Sequence, residues 1–298
     1  MPFRAIEFGV CLFIEGETII YRIPVDDSVK ESLIEMRAKF YEDYNAIEGE
    51  PDTFQPSEKY ASSEKLIIAL DNENLQGLRD LYNNNDIPIC EVDFTEIADS
   101  VEYYFAVFYP SRRGSPKQFA IKRPAQFKGL LKKQNYLLRI VDDTLRVVEE
   151  KIFKLDSDFD FIIDGETINI LHPAGFVFIS DIDEEVLRTA ANSTRQLARR
   201  IRFIDFNYLA DYVAISKTAA KLIASIKSRE DLARTSQDKL IEKCQLLNVH
   251  FNIVDDKIVP EREHIIDFLN ILDRRQYDVD LTNNNPEVYV AASRKKVR

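Results

Sequence analysis

Short runs of strand-forming residues, separated by polar turn residues, recur through the first 182 residues. The stretch "IEFGVCLFIEGETIIYRIPV" predicts two strands around a turn at Glu15–Glu17. The stretch "FDFIIDGETINIL" predicts a hairpin that turns at Asp164–Gly165, a pair that tight hairpin turns favour. Another hairpin is predicted for "YLLRIV" with "LRVVEE", and single strands for "KLIIAL", "EYYFAVFYP" and "AGFVFIS".

Helical spacing dominates the rest of the chain. Residues 183–227 and 228–247 have the apolar period of helices, as does "REHIIDFLNIL". Earlier helices are predicted in "DDSVKESLIEMRAKFYEDYNAI", which Asp26, Asp27 or Ser28 can cap, and in "DNENLQGLRDLYNNN". A late hairpin is predicted in "HFNIVDDKIVP". We therefore expect an α+β protein with a mixed, β-rich domain over residues 1–182 and a mostly helical domain over residues 183–298.

Composition indicates a folded protein of the reducing cytosol. Hydrophobic residues make up 45% of the 298 positions and charged residues 31%, which is typical of a globular chain. The three cysteines lie far apart, so we expect no disulfide framework. No apolar run reaches the roughly 18 residues of a membrane span. We expect a cytoplasmic protein that only a partner could bring to a membrane.

Charge is distributed unevenly in a chain whose formal net charge is −11. No Asp or Glu occurs between Glu102 and Asp142, and this basic segment, residues 103–141, contains nine lysines and arginines. "SRRGSP" predicts an exposed loop tip, and "PAQFKGLLKK" predicts a helix that presents Lys128 and Lys132 together. Like charges at that spacing repel each other, so a bound polyanion would stabilise them.

A second basic surface is predicted for the helix in "EEVLRTAANSTRQLARRIRFIDF". At 100° per residue, Leu187, Ala190, Thr194, Leu197, Ile201 and Ile204 fall on one side of this helix. Four arginines fall on the opposite side, and a guanidinium binds phosphate through two parallel hydrogen bonds. The candidate phosphate-binding residues are Arg112, Arg113, Lys117, Lys122, Arg123, Lys128, Lys132, Lys133, Arg188, Arg195, Arg199 and Arg202.

Phosphate binding is one of several roles that these cations could have. They could equally form a solvated face, pair with the many acids of the same chain, or dock an acidic membrane surface or partner. The charge pattern along the chain does not distinguish these roles. It also does not reveal whether the two basic elements lie on one face of the molecule.

An acidic cluster offers an enzymatic alternative. The acids around residues 142–166 supply the carboxylates that a metal-dependent nuclease needs, but they do not fit the spacing of a calcium-binding EF-hand. Glu149 lies two residues before Lys151, a weak nuclease-like pattern. We find no glycine-rich phosphate loop and no zinc-ligand spacing, and we interpret His250 and His264 as structural. We therefore assign no catalytic residue, cofactor or metal ligand.

The middle of the chain resembles a known family. "KIFKLDSDFDFIIDGETINILHPAGFVFI", followed by a long polar helix, is similar to the domain of unknown function that defines the B protein of the Kiwa antiphage-defence system. The resemblance covers roughly residues 150–250. It implies a DNA-binding cytosolic effector that forms homo-oligomers, acts with a membrane-embedded A partner and restrains phage replication. It supplies no residue-level motif for DNA contact.

Overall fold

The computed structural model describes residues 3–91, 97, 100–124, 138–141, 144–147, 154–279 and 287–291, with only the backbone for 138–141 and 144–147. The chain divides into two compact units. The first comprises Met1–Thr53 and Ala61–Ser180, and the second comprises Phe54–Tyr60 and Asp181–Arg298. The predicted α+β class is confirmed, with a large sheet in the N-terminal half and helices in the C-terminal half.

Eight of the described strands of the first unit form one sheet in the order β2-β1-β5-β6-β9-β10-β4-β3. Neighbours in this sheet are antiparallel except β3 and β4, while β7 and β8 pair separately. The strands are β1 (Phe3–Ile14), β2 (Glu17–Ile23), β3 (Asp52–Thr53), β4 (Leu66–Ala69), β5 (Val101–Pro110), β6 (Gln118–Lys122), β7 (Leu138–Val141), β8 (Thr144–Val147), β9 (Phe161–Asp164) and β10 (Thr167–Ile170).

Among its described residues, the first unit has the helices α1 (Asp27–Ala46), α2 (Gln76–Asn83) and α3 (Pro173–Ser180). Helix α1 begins where predicted, because the Asp26 carboxylate accepts a hydrogen bond of 2.9 Å from the Val29 amide. Its Leu33, Met36 and Phe40 are buried in one apolar cluster with residues of β1 and β5. Consecutive residues are buried in the middle of β5 and along most of β6 and β9, as expected when both faces of a sheet are covered.

Helix α3 corrects the strand predicted for "AGFVFIS". A short apolar run has no period that separates a buried strand from a buried helix, so the packing decides. Phe176 lies edge-on to Phe161 with ring centroids 5.1 Å apart. Gly175 packs so closely that a Cβ atom there would lie 2.1 Å from the Asp160 carboxylate.

The second unit contains five described α-helices and two antiparallel strand pairs. The predicted helical stretch 183–227 is divided into three helices, since Asp205 and Ser216 each cap a new one. Helices and strands are α4 (Ile182–Arg200), α5 (Phe206–Val213), α6 (Lys217–Ser228), α7 (Gln237–Leu246), β11 (Phe251–Val254), β12 (Lys257–Pro260), α8 (Ile265–Leu272), β13 (Gln276–Val279) and β14 (Glu287–Val290). Short 3₁₀ helices occupy Glu230–Arg234 and Arg262–His264.

A buried charged network holds segment 54–60 in the second unit. Arg275, whose side chain is 3% exposed, donates to the Asp273 carboxylate at 2.7 Å and to the hydroxyl and carbonyl of Ser57. The Ser225 hydroxyl donates to the same carboxylate. A buried ion pair of this kind is stable only when its remaining polar atoms are also satisfied, which these hydrogen bonds achieve.

Within the described part of the chain, no helix combines the length and the apolar character that crossing a membrane requires.

Candidate nucleic-acid interface

The predicted loop tip is the turn that joins β5 to β6, residues 111–117. Arg112 and Arg113 are exposed there, and the Arg112 carbonyl accepts a hydrogen bond of 3.3 Å from the Ser115 amide. Gly114 has a positive φ of 87°, which glycine adopts without steric cost. No ion pair or hydrogen bond of either guanidinium is found among the described residues. Their positive charges therefore face solvent.

Lys117 and Arg123, which flank β6, each place their cationic group against an aromatic ring. The Lys117 ammonium donates to the Asn85 side chain at 3.0 Å and lies 5.1 Å from the centre of the Tyr82 ring. Burial lowers the pKa of Lys117. The Arg123 guanidinium lies 3.6 Å from the centre of the Phe178 ring, which is itself 41% exposed. Stacking on an aromatic ring leaves a guanidinium charged and able to bind a phosphate.

Lys122 does not belong with these residues, which corrects the predicted set. Its ammonium is 12% exposed and lies 3.0 Å from Asp158 and 2.9 Å from Asp160. Burial alone would lower the pKa of Lys122, but the Asp160 and Asp158 carboxylates outweigh it and raise the pKa. Because two carboxylates of its own chain already neutralise the ammonium, Lys122 is removed from the candidate DNA contacts.

His172 completes this ion-pair network and has the outline of a hydrolase triad. Its Nε2 lies 2.7 Å from the Asp158 carboxylate, and its Nδ1 lies 3.2 Å from the Ser63 hydroxyl. However, Nδ1 also lies 3.1 Å from the Ser62 carbonyl, which can only accept a hydrogen bond. The Asp158 hydrogen bond raises the pKa of His172, against the effect of its burial. An imidazole that donates from both nitrogens has no lone pair to activate Ser63, so we interpret the group as structural.

The arginines of α4 differ from one another in their surroundings. Arg188 pairs with Glu185 of the same helix at 2.6 Å, so an acid of its own helix neutralises part of its charge. Arg195 donates to Asn192 at 3.1 Å and is exposed. Arg199 is exposed, and no ion pair of Arg195 or Arg199 is found in the described part of the chain. Arg195 and Arg199 thus remain candidates, while Arg188 is partly neutralised.

Arg202 is exposed but lies beyond the helix. Helix α4 ends at Arg200, and Ile201 is already extended with φ −125° and ψ 101°. The chain leaves the helix because Ile204 forms a bridge with Ile258 of β12 and the Ile258 amide donates to the Phe203 carbonyl at 2.8 Å. The prediction that all four arginines lie on one helix is therefore wrong for Arg202.

A cavity that the sequence did not reveal lies beside the end of α4. The cationic cavity has a volume of about 340 Å³, and five cations and no acid are found among the described residues that line it. These cations are Arg229, Arg234, Lys239, Lys243 and Arg274. Asp231 pairs with Arg229 and Arg274, and Asp278 pairs with Lys243. These two acids do not line the cavity, but they neutralise part of its positive charge. Arg234 and Lys239 are exposed.

Arg200 connects this cavity to the arginines of α4. Its guanidinium donates to the carbonyls of Lys227 and Arg229, each at 2.7 Å. Arg229 also lines the cavity, so the C-terminal turn of α4 lies at its margin. Four of the five cations lie between Arg229 and Lys243 in the sequence, but acids lie between them there. The sequence therefore shows a mixed-charge segment and does not predict a cationic cavity.

The acidic cluster shows no metal site in its described members. Asp158 and Asp160 bind Lys122, Asp164 accepts from Gln118 at 2.8 Å, and Asp156 accepts from the Tyr104 hydroxyl at 3.2 Å. The group of three potential ligands found among the described residues lies elsewhere, in the second unit. Lys128, Lys132 and Lys133, with the acids of the nuclease alternative at 142–143 and 149, lie outside the described residues.

The fold and these surfaces define a two-unit α+β protein with cationic sites in both units. Comparison with protein families matches residues 112–282, more than half of the chain, to the Kiwa protein KwaB-like family. The chain therefore belongs to that family, which confirms the resemblance. Membership implies a role in Kiwa antiphage defence and a partner within that system. No curated protein and no solved structure matches the chain.

Proposed function

We propose that this protein is an antiphage-defence effector that binds DNA through its phosphates without reading the base sequence. The observation that carries the proposal is the cationic cavity in a chain whose net charge is −11. The exposed arginines of α4 support it, since Arg200 of that helix is hydrogen-bonded to Arg229 of the cavity lining. Concentrated positive charge on an acidic protein attracts a polyanion locally, although the protein as a whole repels it.

Residues Arg195, Arg199 and Arg202 would contact successive phosphates at the end of α4. Arginine suits this role because its planar fork matches two phosphate oxygens. The cationic cavity would hold a further phosphate, to which Arg234 and Lys239 contribute charge that no acid of the described residues neutralises. Contacts of this kind position a protein on a nucleic acid and carry no sequence information.

In the first unit, the loop tip supplies Arg112, Arg113 and Lys117, and Arg123 stands on the exposed ring of Phe178. An arginine and an aromatic side chain at one surface position suit nucleic acid, since the first binds phosphate and the second stacks on a base. Lys128, Lys132 and Lys133 belong to the proposed surface on the strength of their sequence alone.

The helix dipole gives a different reason for some of these cations. The first turn of α4 contains Asp183, Glu184 and Glu185, and its last turn contains Arg199 and Arg200. Acids at the N-terminus and bases at the C-terminus stabilise any helix by about 0.3–1 kcal/mol each. The dipole explains the order of charges along α4, but it does not explain the cations that gather in the adjoining cavity.

Family resemblance supports the remaining parts of the proposal. We propose that the protein works in the cytoplasm as a homodimer or higher homo-oligomer and that a membrane-embedded A partner of the Kiwa system recruits it to the inner face of the membrane. Catalysis and a cofactor are not part of the proposal, because the described carboxylates of the acidic cluster are occupied by Lys122, Gln118 and Tyr104.

Charge reversal tests DNA binding at each site. We expect the pairs Arg195→Glu with Arg199→Glu, Arg234→Glu with Lys239→Glu, and Arg112→Glu with Arg113→Glu each to weaken binding to a labelled duplex by at least about tenfold at low salt. Fluorescence anisotropy measures the affinity, and circular dichroism checks the fold.

The matched control is Lys30→Glu with Lys39→Glu on α1. It changes the net charge by the same amount, but both lysines already pair with acids of their own helix. We expect the control to retain most of the affinity. If all three test pairs bind as tightly as the control, the cations are a solvated surface and the proposal is wrong. Copurified DNA, seen as a raised 260/280 absorbance ratio, gives an independent first indication.

A further inference from the structure

The hairpin β11–β12 brings two potential metal ligands together at its open end. Phe251 pairs with Pro260, so the next residues outward, His250 and Glu261, lie opposite each other. The Glu261 amide donates to the His250 carbonyl at 3.1 Å, which continues the ladder by one step. Directly opposed residues of an antiparallel pair have Cβ atoms about 4.5–5.5 Å apart, so their side chains can bind one ion.

A 3₁₀ turn adds the third ligand. Arg262–His264 form this turn, and the His264 amide donates to the Glu261 carbonyl at 2.9 Å. Glu261 is the extended residue that precedes this turn and His264 is its last residue. Their ligand atoms lie within 4.8 Å of each other. No zinc-ligand spacing is visible along the chain because the ligands come from a strand pair and a 3₁₀ turn rather than from a short paired motif.

The geometry of this group is close to that of a metal site. One ligand atom from each of His250, Glu261 and His264 lies within 4.8 Å of the other two, and the His250 Nδ1 lies 3.8 Å from a Glu261 oxygen. Bonds of about 2.0–2.2 Å in a tetrahedral zinc site place its ligand atoms about 3.3 Å apart. Small side-chain rotations would close the remaining difference.

Two further features distinguish the group from an ordinary surface cluster. The two imidazole rings are stacked, with centroids 4.7 Å apart and an angle of 28° between their planes. The Nδ1 atom of His264 is buried and has no hydrogen-bond partner among the described residues. An unsatisfied buried nitrogen costs free energy, and a metal bound through this atom would supply the missing partner.

We propose that His250, Glu261 and His264 bind one divalent transition-metal ion, with Zn²⁺ as the best match. Two imidazoles and one carboxylate are a zinc donor set that leaves a fourth position for water, whereas Mg²⁺ and Ca²⁺ require mainly oxygen ligands. The bound ion joins the open end of the hairpin to the turn that begins α8, and most of α8 is buried in the second unit. The site therefore stabilises the second unit.

Zinc binding by the full chain tests this site directly. Protein treated with a chelator and desalted is titrated with ZnCl₂ in competition with a chromophoric chelator, and its melting temperature is recorded with and without Zn²⁺. We expect one equivalent to bind and to raise the melting temperature. Mutating a residue that only hydrogen-bonds to a metal ligand costs about 10–100-fold in metal affinity. Loss of a ligand itself should cost more, so His264→Ala and His250→Ala should each lower the zinc affinity by at least about 100-fold.

Conservative variants keep the test valid if an alanine variant fails to fold. Glu261→Gln retains the shape of the side chain and should also lose zinc affinity, whereas Glu263→Gln in the same turn should bind as the unaltered protein does. Co²⁺ in place of Zn²⁺ should give the intense visible absorption of tetrahedral coordination, and His264→Ala should remove it. Absence of a stoichiometric site, or a site that survives all three ligand changes, would overturn the proposal.

Discussion

At the scale of single residues, Lys122 shows that strand pairing can place acids beside a lysine whose neighbours in the sequence include none. Its neighbours in sequence contain no acid from residue 103 to residue 141. The pairing of Ile121 with Phe161 nevertheless places Lys122 beside Asp160, and the Asp160 amide donates to the Ile121 carbonyl at 2.9 Å. Segregation along the sequence therefore identified the exposed cations of the loop tip but not the lysine at the end of β6.

Removing Lys122 should destabilise the first unit strongly. Lys122→Met leaves the Asp160 carboxylate, 5% exposed, without its countercharge, and loss of one partner of a buried pair costs about 3–5 kcal/mol. Urea denaturation measures the free energy of unfolding. The matched control, Lys117→Met, removes a lysine that forms no ion pair among the described residues and bonds to Asn85, and it should cost under about 1 kcal/mol. Equal losses in the two variants would contradict this prediction, and Lys122→Met with Asp160→Asn should recover part of the loss.

The His172–Asp158 pair should make stability depend on pH in a defined direction. Asp158 raises the pKa of His172 in the folded state. The stabilisation that protonated His172 gives the folded protein is therefore complete below about pH 6.5, and it is lost as the pH rises through the pKa of His172 in the folded state. Burial would raise the pKa of Asp158, but hydrogen bonds from His172 and Lys122 outweigh it and lower the pKa to about 2. The Asp158 contribution is therefore present above about pH 3.9 and lost as the pH falls toward 2.

We expect the free energy of unfolding of the unaltered protein to decrease between pH 6 and pH 8.5 by an amount that His172→Gln removes. Asp158→Asn should remove the same pH-dependent part, and combining both changes should remove no more, since the two residues form one interaction. Chemical denaturation at several pH values measures the difference. A pH dependence that persists unchanged in His172→Gln would assign it to other groups.

At the scale of secondary-structure elements, periodicity located the helices better than it located their ends. The buried face of α4 was predicted at Ala190, Thr194 and Leu197, all of which are buried. Its end at Arg200 was not predicted, because the bridge of Ile204 to Ile258 involves residues far apart in the sequence. Helix α3 was mistaken for a strand, since eight mostly apolar residues fit either element until Asp160 and Phe161 are placed against it.

Glycine substitution in two helices should act with opposite signs. Gly175→Ala in α3 places a Cβ 2.1 Å from the Asp160 carboxylate, so the helix or the ion pair must shift, at a cost of about 1–3 kcal/mol. Gly77→Ala in α2 meets nothing within 4 Å and should stabilise the protein by up to about 1 kcal/mol. Thermal and urea unfolding measure both variants. Stabilisation by Gly175→Ala would show that the close packing of α3 on Asp160 does not persist in solution.

At the scale of the whole molecule, neither the distribution of charge nor the membership of the two units can be read from composition. A net charge of −11 suggests a protein that avoids polyanions, yet each unit contains exposed cations that no described acid pairs with. Segment 54–60 belongs to the second unit although it lies among residues of the first, and the Arg275 network shows why. Sequence reasoning treats neighbours along the chain as neighbours in space and therefore assigned this segment to the N-terminal domain.

Salt dependence distinguishes phosphate contacts from other modes of binding. If about five of the proposed cations touch phosphates, the logarithm of the DNA association constant should fall against the logarithm of salt concentration with a slope of about −4 to −5. The Arg195→Glu with Arg199→Glu variant should reduce that slope by about 2, while the α1 control should leave it unchanged. Anisotropy titrations over a series of salt concentrations measure both values, and an affinity that does not respond to salt would exclude phosphate-dominated binding.

The sequence alone determined the α+β class, the long capped helix α1, the hairpins and the KwaB-like resemblance, because these depend on local propensity, on apolar period and on short turns. It also located the exposed loop-tip arginines, since glycine and proline beside them mark an exposed turn. Tertiary structure alone decided which cations are already neutralised, where α4 ends, and that His250, Glu261 and His264 meet. Those outcomes depend on strand register and on packing between distant residues, which no local pattern records.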